Sequence, residues 1–410
     1  MKVRIERLGH LGDGIGLAED AGGAQVFAPR TLPGEVIEGA VEEGRMASPS
    51  ILTPSADRRR APCRHYAACG GCSLMHATDE FVAGWKVAVV AEALAAQGLS
   101  APMQAIHTSS ERSRRRATFA GRRTKKAAIV GFHGRASATL VDIGDCHLVL
   151  PALADALPLL RQVTMAGASR QGELALALTE TDGGLDLAVS GGKPMEVTLF
   201  TALAALAETH DLARLSWDGE VIAARRPALL RLGRADVALP PGAFLQATAE
   251  GEAALVGAVR EAVGGAARLA DLFSGAGTFA LPLAEAAEVH AAESDAGLLA
   301  ALDAGYRRTQ GLKRVTTEAR DLFRRPLLPD ELATFDAVVL DPPRAGAEAQ
   351  VRELAQSRVP VIAYVSCNPV TFARDARILV AAGYRLDWLQ PVDQFRWSPH
   401  IELAARFSRA

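Results

Sequence analysis

The chain has 410 residues, of which 49% are hydrophobic and 22% charged, and its net charge is −2. The length calls for two or three domains, the composition excludes wholesale disorder, and the charge excludes a uniformly basic nucleic-acid coat protein. Five cysteines exclude a disulfide scaffold, no apolar run reaches the roughly 18–20 residues of a membrane span, and residues 1–7 have no apolar core for a signal peptide. A cytoplasmic home with no membrane partner is therefore expected.

Residues 1–52 read as a small all-β unit. Val3-Arg4-Ile5 alternates, Gly9, Gly12, Gly14 and Gly16 mark turns, and Gln25–Pro29 and Glu35–Glu42 form short strands around Leu32-Pro33-Gly34. Five such strands suit an oligonucleotide-binding type of barrel, with an SH3-like barrel as the plain alternative.

Residues 53–240 are expected to form a mixed α+β unit. Its start is irregular and rich in Pro, Arg, Cys and Gly; residues 80–98 read as an amphipathic helix. From 103 onward short strands alternate with helices near 151–163 and 195–209, and Pro240-Pro241-Gly242 closes the unit. Charge concentrates here. Residues 56–135 carry 14 Lys and Arg against five Asp and Glu, which gives +9 there and −11 elsewhere. Three basic clusters, among them Arg114-Arg115-Arg116, suit a polyanion-binding face, because neutralised phosphates release counterions. They carry no sequence preference, and a solvated basic loop is the alternative.

The same region holds Cys63-x5-Cys69-x2-Cys72, with Gly70 and Gly71 inside it, and Cys146 far downstream. Four thiolates suit an iron–sulfur cluster or a structural zinc. One triplet with a remote fourth fits a cluster better than the two close pairs usual for zinc. That leaves one cysteine, Cys367.

Residues 241–410 alternate strand and helix, which predicts a parallel sheet covered on both faces. Strands are expected near 268–273, 288–293, 314–318, 335–340, 360–366, 384–391 and 400–407. Gly275-x-Gly277-x-x-Ala280 lies between the first strand and a helix and fits a nucleotide-binding turn. Glu293, 18 residues past Gly275, can accept hydrogen bonds from ribose hydroxyls. NAD, FAD and S-adenosylmethionine (SAM) all fit the loop. Asp271 at its start favours SAM, whose sulfonium cation gains from nearby carboxylates.

Asp341-Pro342-Pro343-Arg344 ends the fourth strand at the sheet edge where α/β ligands bind. Ser366-Cys367-Asn368-Pro369 sets a candidate nucleophile on that edge; only its thiolate attacks, so the site must lower its pKa or supply a base. His400-Ile401-Glu402 opens the seventh strand. If that strand runs antiparallel, Glu402 and Cys367 face one another.

Taken together, these motifs resemble the RNA (uracil-5-)-methyltransferases, specifically the iron–sulfur branch acting on 23S ribosomal RNA, over nearly the whole length. The resemblance implies a TRAM-type barrel at 1–52, a central α+β unit with a basic RNA-binding face, and a class I, Rossmann-like, SAM-dependent methyltransferase domain at 241–410. It implies a [4Fe-4S] cluster on Cys63, Cys69, Cys72 and Cys146, Cys367 as nucleophile and Glu402 as general base. SAM would be held by Gln246, Phe273, Gly275, Thr278, Glu293, Asp321 and Asp341. The implied partner is 23S rRNA offering a single-stranded or looped uridine to a monomer. The tRNA branch of the family generally lacks the barrel and the four cysteines, which disfavours a tRNA target; a non-catalytic RNA-binding assembly factor is the remaining rival. The chain departs from the family pattern in lacking Val-Asn after Gln246, in Ser274 for a common Cys, in Asp321 where some members have Asn, and in Arg396 after Phe395 where Pro is common.

Overall fold

The computed structural model describes residues 1–18 and 23–409. Residues 19–22, inside the expected N-terminal barrel, lie outside the described residues.

In the N-terminal unit Val3, Ile5 and Leu8 alternate inward along strand Lys2–Leu8. That strand is the middle of a five-stranded antiparallel sheet, in the order Gln25–Ala28, Gly14–Ala18, Lys2–Leu8, Val36–Glu38, Ser50–Thr53. The Phe27 N–H donates to the Gly44 carbonyl and the Met46 N–H to the Phe27 carbonyl, which curls the sheet back on itself. The enclosed core is Val3, Ile5, Val26, Ile37 and Met46 with two alanines.

The central sheet has seven strands, in the order Glu220–Ala224, Arg214–Trp217, Gly184–Ser190, Glu173–Thr181, Arg116–Arg123, Ala128–His133, Leu140–Asp142. Helices Leu157–Gly167 and Val197–Thr209 cover it, and Phe119, Leu160, Leu176 and Trp217 lie in the layer between. The second helix falls where sequence placed it, whereas the span expected as one helix near 151–163 is broken into Pro151–Asp155 and Leu157–Gly167.

The C-terminal sheet runs Val315–Ala319, Glu288–Glu293, Arg268–Leu272, Ala337–Leu340, Val361–Ser366, Glu402–Ser408, Arg385–Asp393, His107–Thr108. All seven expected strands are present within a few residues. The first five are parallel; the last three of these are buried on both faces and read as apolar runs such as Ala337–Leu340, whereas the edge strand Val315–Ala319 is largely exposed. Glu402–Ser408 is antiparallel to both neighbours. Strand order reverses at Arg268–Leu272, and a crevice opens at the carboxyl edge of such a switch point.

The eighth strand and one helix come from the sequence span expected for the central unit. Helix Asp79–Ala95 buries Val82, Val90 and Leu94, and Val90 and Leu94 join the core under helix Pro369–Ala381. Hairpin Leu229–Leu232 with Ala235–Ala238 also packs into the C-terminal core.

The basic run is not one uniform face. Arg115 is buried and pairs with Glu252 at 2.5 Å, joining the central sheet to helix Ala249–Val263. Arg58 pairs with the buried Glu35 of the N-terminal unit at 2.5 Å, and Arg59 pairs with Asp79. These arginines act as struts between parts of the chain, whereas Arg60, Arg64, Lys125 and Lys126 remain exposed. Among the described residues no helix is long and apolar enough to cross a membrane.

Candidate active site

The glycine turn after Arg268–Leu272 forms the floor of the crevice. Phe273 sits at φ 65°, and the N–H groups of Phe273 and Ser274 both donate to the Ala292 carbonyl, at 2.9 and 3.1 Å. Gly277 has φ 98°, and a β-carbon there would lie 2.9–3.0 Å from Leu281 and Leu302. Gly275, at φ 55°, donates its N–H to Glu293 Oε2 at 3.1 Å. Glu293 Oε1 accepts from the N–H groups of Ser294 and Asp295, so its carboxylate is fixed at the strand end with lone pairs to spare. Thr278 is half-exposed in the same turn. Asp321 accepts the Phe323 N–H at 3.0 Å, and the Phe323 ring lies 5.4 Å from that of Phe273. Phe323 is 47% exposed, an aromatic wall that sequence reading missed.

Carboxylates crowd this crevice. Asp271 is fully buried; burial, then the charges of Asp341 and Glu293, hold its carboxyl well above the usual range. Burial pushes Asp341 up to about 7. Both Asp271 oxygens, Ser274 Oγ and Glu402 Oε2 are buried with no hydrogen-bond partner among the described residues. A cationic ligand would let these crowded, protonated carboxyls ionise, whereas a diphosphate would gain nothing from them, which favours SAM over NAD.

Cys367 follows strand Val361–Ser366 and precedes helix Pro369–Ala381, whose Asn368 cap accepts the Val370 N–H and donates to the Arg344 carbonyl. Across the antiparallel ladder Ser366 pairs with Leu403. One step further sets Cys367 beside Glu402, with β-carbons about 5 Å apart for residues directly opposite. The seventh strand is antiparallel, as the expected facing requires, and Cys367 lies one residue beyond the end of the ladder. Cys367 is half-buried. Burial, with Glu402 and Asp341, pushes its thiol up to about 11, while Arg344 pulls it down. Glu402 is buried, and burial with the Asp341 charge lifts it to about 8.

Gln246 is buried beside this pair. Gln394 Nε2 donates to Gln246 Oε1 at 2.5 Å, Gln394 Oε1 accepts the Thr248 N–H at 3.3 Å, and the Gln394 side chain also reaches Glu402. Gln394 was missed because its partners lie far away in sequence. Arg344 Nη2 stands 3.2 Å from the ring nitrogens of His400 at the mouth.

The four remaining cysteines meet elsewhere. Cys63, Cys69, Cys72 and Cys146 line one cavity of about 340 Å³ together with Arg114 and Arg116. Burial pushes the thiols of Cys69, Cys72 and Cys146 up, and repulsion from neighbouring thiolates adds to it. Among the described residues no three His, Cys, Asp or Glu side chains are spaced to hold a single metal ion. Four thiols around a cavity of this size, with two guanidiniums beside them, fit a multi-metal core whose thiolate complex is anionic overall better than one small cation.

The parallel sheet with its antiparallel strand, glycine turn and acidic crevice defines a SAM-dependent methyltransferase fold. Residues 309–409 match the family described as tRNA (Uracil-5-)-methyltransferase. An uncharacterized RNA methyltransferase of Brucella suis is 45% identical over 98% of this chain and 97% of its own length. The 23S rRNA (uracil(1939)-C(5))-methyltransferase RlmD of Halomonas elongata is 34% identical over 97% of this chain and 87% of its own. The Pyrococcus abyssi tRNA (uracil-54, C5)-methyltransferase, solved with S-adenosyl-L-homocysteine, superposes with a TM-score of 0.76 at 22% identity, covering 99% of this chain and 100% of that one. The chain belongs to the RNA (uracil-5-)-methyltransferase family. The likeness to the Pyrococcus enzyme spans the N-terminal sheet too.

Proposed function

We propose that this protein transfers the methyl group of SAM to C5 of a uridine in 23S rRNA, through a covalent bond between Cys367 and C6. The observation that carries the reading is the meeting of Cys367 and Glu402 across adjacent strands, at the carboxyl edge that also bears Asp341 and the glycine turn. The Halomonas relative favours 23S rRNA over tRNA.

Uracil C5 is too weak a nucleophile to take a methyl group unaided. Cys367, as thiolate with its proton lost to water, adds to C6 and leaves electron density at C5. Burial, Glu402 and Asp341 hold the resting thiol up at about 11, so the thiolate is a minor form, and Arg344 and the N-terminus of helix Pro369–Ala381 offset that rise only in part. C5 takes the methyl group; SAM supplies it as an activated methyl on a cationic sulfur. Glu402 then removes the C5 proton, and elimination releases Cys367. A carboxylate lifted to about 8 is a stronger base than an ordinary one. Gln394 stands beside Glu402 and is itself held by Gln246, which would also contact the cofactor. The uridine must leave its stack to enter, at a cost of about a few kcal/mol. Glu293, Asp321, Phe273, Gly275, Thr278 and Asp341 would hold the cofactor.

Cys63, Cys69, Cys72 and Cys146 would hold a [4Fe-4S] cluster. Its contribution is structural, because methyl transfer by this route moves no net electron. It would tie the 63–72 loop to the segment around Cys146. A brown, iron-containing protein from anaerobic purification supports this part, whereas zinc without iron removes it.

The test of the chemistry is Glu402→Gln. It is expected to trap a methylated RNA–protein adduct that survives denaturing electrophoresis, and Cys367→Ala forms none and does not turn over. Normal turnover by either variant sinks the mechanism. Mass spectrometric mapping of 5-methyluridine in 23S rRNA and tRNA, from cells with and without the protein, decides the target. Loss confined to tRNA replaces the rRNA reading.

A further inference from the structure

The segment leading into Glu402 is held by the cysteine-bearing part of the chain. The Ser73 and Leu74 N–H groups both donate to the Trp397 carbonyl, at 2.8 and 2.9 Å. Trp397 is fully buried at φ 59°, a left-handed conformation that costs a bulky residue energy and persists only where its surroundings over-determine it. Its ring shares an apolar cluster with Tyr66 and Met75, and Cys63 and Cys72 pack against that cluster. The guanidiniums of Arg396 and Arg59 lie 5.0 and 6.0 Å from the ring centroid. Among the described residues the indole N–H has no hydrogen-bond partner, so packing and cation–π contacts hold the ring. Arg114, on the wall of the four-thiol cavity, lies 5.8 Å over the Phe395 ring.

We propose that Trp397 is a positioning residue that makes the order of residues 394–402 depend on occupancy of the four-thiol cavity. The consequence for catalysis rests on the reading of Glu402 as the base. With the cavity filled, the 63–72 loop is cross-linked. Tyr66 and Met75 then clamp the indole, Ser73 and Leu74 hold its carbonyl, and the strained backbone stays in place. With the cavity empty, the loop loses its cross-link and the clamp loosens. Trp397 then relaxes toward ordinary backbone angles, and Glu402 loses its register against Cys367. Loss of the bound group by oxidation or chelation thus disables the base although that group touches no reacting atom.

Hydrogen exchange followed by mass spectrometry on the full chain tests this without RNA or methyl transfer, so its outcome is separable from the reaction assigned above. Iron content is measured on every sample, and the cavity is emptied with ferricyanide and a chelator. Peptides covering 394–402 are expected to exchange at least tenfold faster in the emptied protein, with strand Arg268–Leu272 unchanged. Trp397→Ala is expected to reproduce that rise with its iron retained, and Trp397→Phe to keep most of the protection. Three results overturn the proposal: an unchanged rate at 394–402 after emptying, an iron-replete Trp397→Ala that stays protected, or equal acceleration at Arg268–Leu272, which means global unfolding. A protein purified anaerobically with nothing bound at the four thiols also overturns it. If Trp397→Ala does not fold, the emptied wild type and Trp397→Phe still decide.

Discussion

Replacing Glu402 by glutamine should make the protein without its substrates more stable, and increasingly so as pH rises. The carboxyl has an ordinary pKa of 4.5 and about 8 in the folded chain, so the folded state favours the protonated form. Below pH 4.5 both states are protonated and the residue contributes its full stability. Between 4.5 and 8 the unfolded chain loses its proton while the folded chain keeps it, and stability falls as pH rises. Above 8 the loss levels off. At about 1.4 kcal/mol per pH unit the interval is worth on the order of 5 kcal/mol. The group is only 4% exposed, so solvent screens little of this. Urea midpoints for wild type and Glu402→Gln, measured from pH 4 to pH 9, should diverge in favour of the variant between pH 5 and 8. Single-turnover methyl transfer by the wild type should climb over the same range as the base ionises. Midpoint curves that stay parallel would refute the claim that burial and Asp341 keep Glu402 protonated.

Lys86 Nζ and Asp393 Oδ1 form a fully buried pair at 2.5 Å. Lys86→Met should lower stability by about 3–5 kcal/mol in urea melts because Asp393 is left unpaired, and adding Asp393→Asn should restore most of it. Glu293→Ala removes acceptors from Gly275, Ser294 and Asp295 as well as a candidate ribose contact. Calorimetry should show SAM binding weakened roughly 10–100-fold, in line with about 1.5–3 kcal/mol for hydrogen bonds to a charged group. Arg115→Met should destabilise the fold yet leave the salt dependence of RNA binding unchanged, since its charge is spent on Glu252. Lys125→Ala with Lys126→Ala should instead flatten that log–log slope by about 1.4, at roughly 0.7 per phosphate contact; an unchanged slope removes these lysines from the RNA face.

Where burial is two-sided and contacts are local, sequence was enough. Apolar runs marked the central strands of the C-terminal half, the alternation of strand and helix located the others, and the turn at Gly275 and Gly277 was legible from residue type alone. The approach of Glu402 to Cys367 followed from a single topological assumption, which the antiparallel ladder satisfies. What escaped depends on partners distant in the chain. Helix Asp79–Ala95 reads as amphipathic, but nothing local says that it packs on helix Pro369–Ala381 or that Lys86 is buried by residues 309 positions away. Arg114-Arg115-Arg116 looks like one basic patch because a sequence does not reveal that Glu252 claims its middle member. Phe323 and Gln394 had no periodic signal, and nothing in the sequence around Trp397 reveals its left-handed backbone.

The last strand of the C-terminal sheet, His107–Thr108, is followed at once by a long excursion that builds the seven-stranded sheet. The chain departs at Ser109 and re-enters at Thr248, and the two hydroxyls are 2.7 Å apart. A gene fragment beginning at residue 241 would therefore yield an incomplete enzyme, with the flank of Arg385–Asp393 bared to sticky edge-to-edge association. Adjoining ends of this kind also let one insert be exchanged for another with little disturbance to its host. Such an exchange would have to leave Gln246 and the hairpin Leu229–Leu232 with Ala235–Ala238 in the host, because the hairpin packs in the C-terminal core and Gln246 is buried against Gln394.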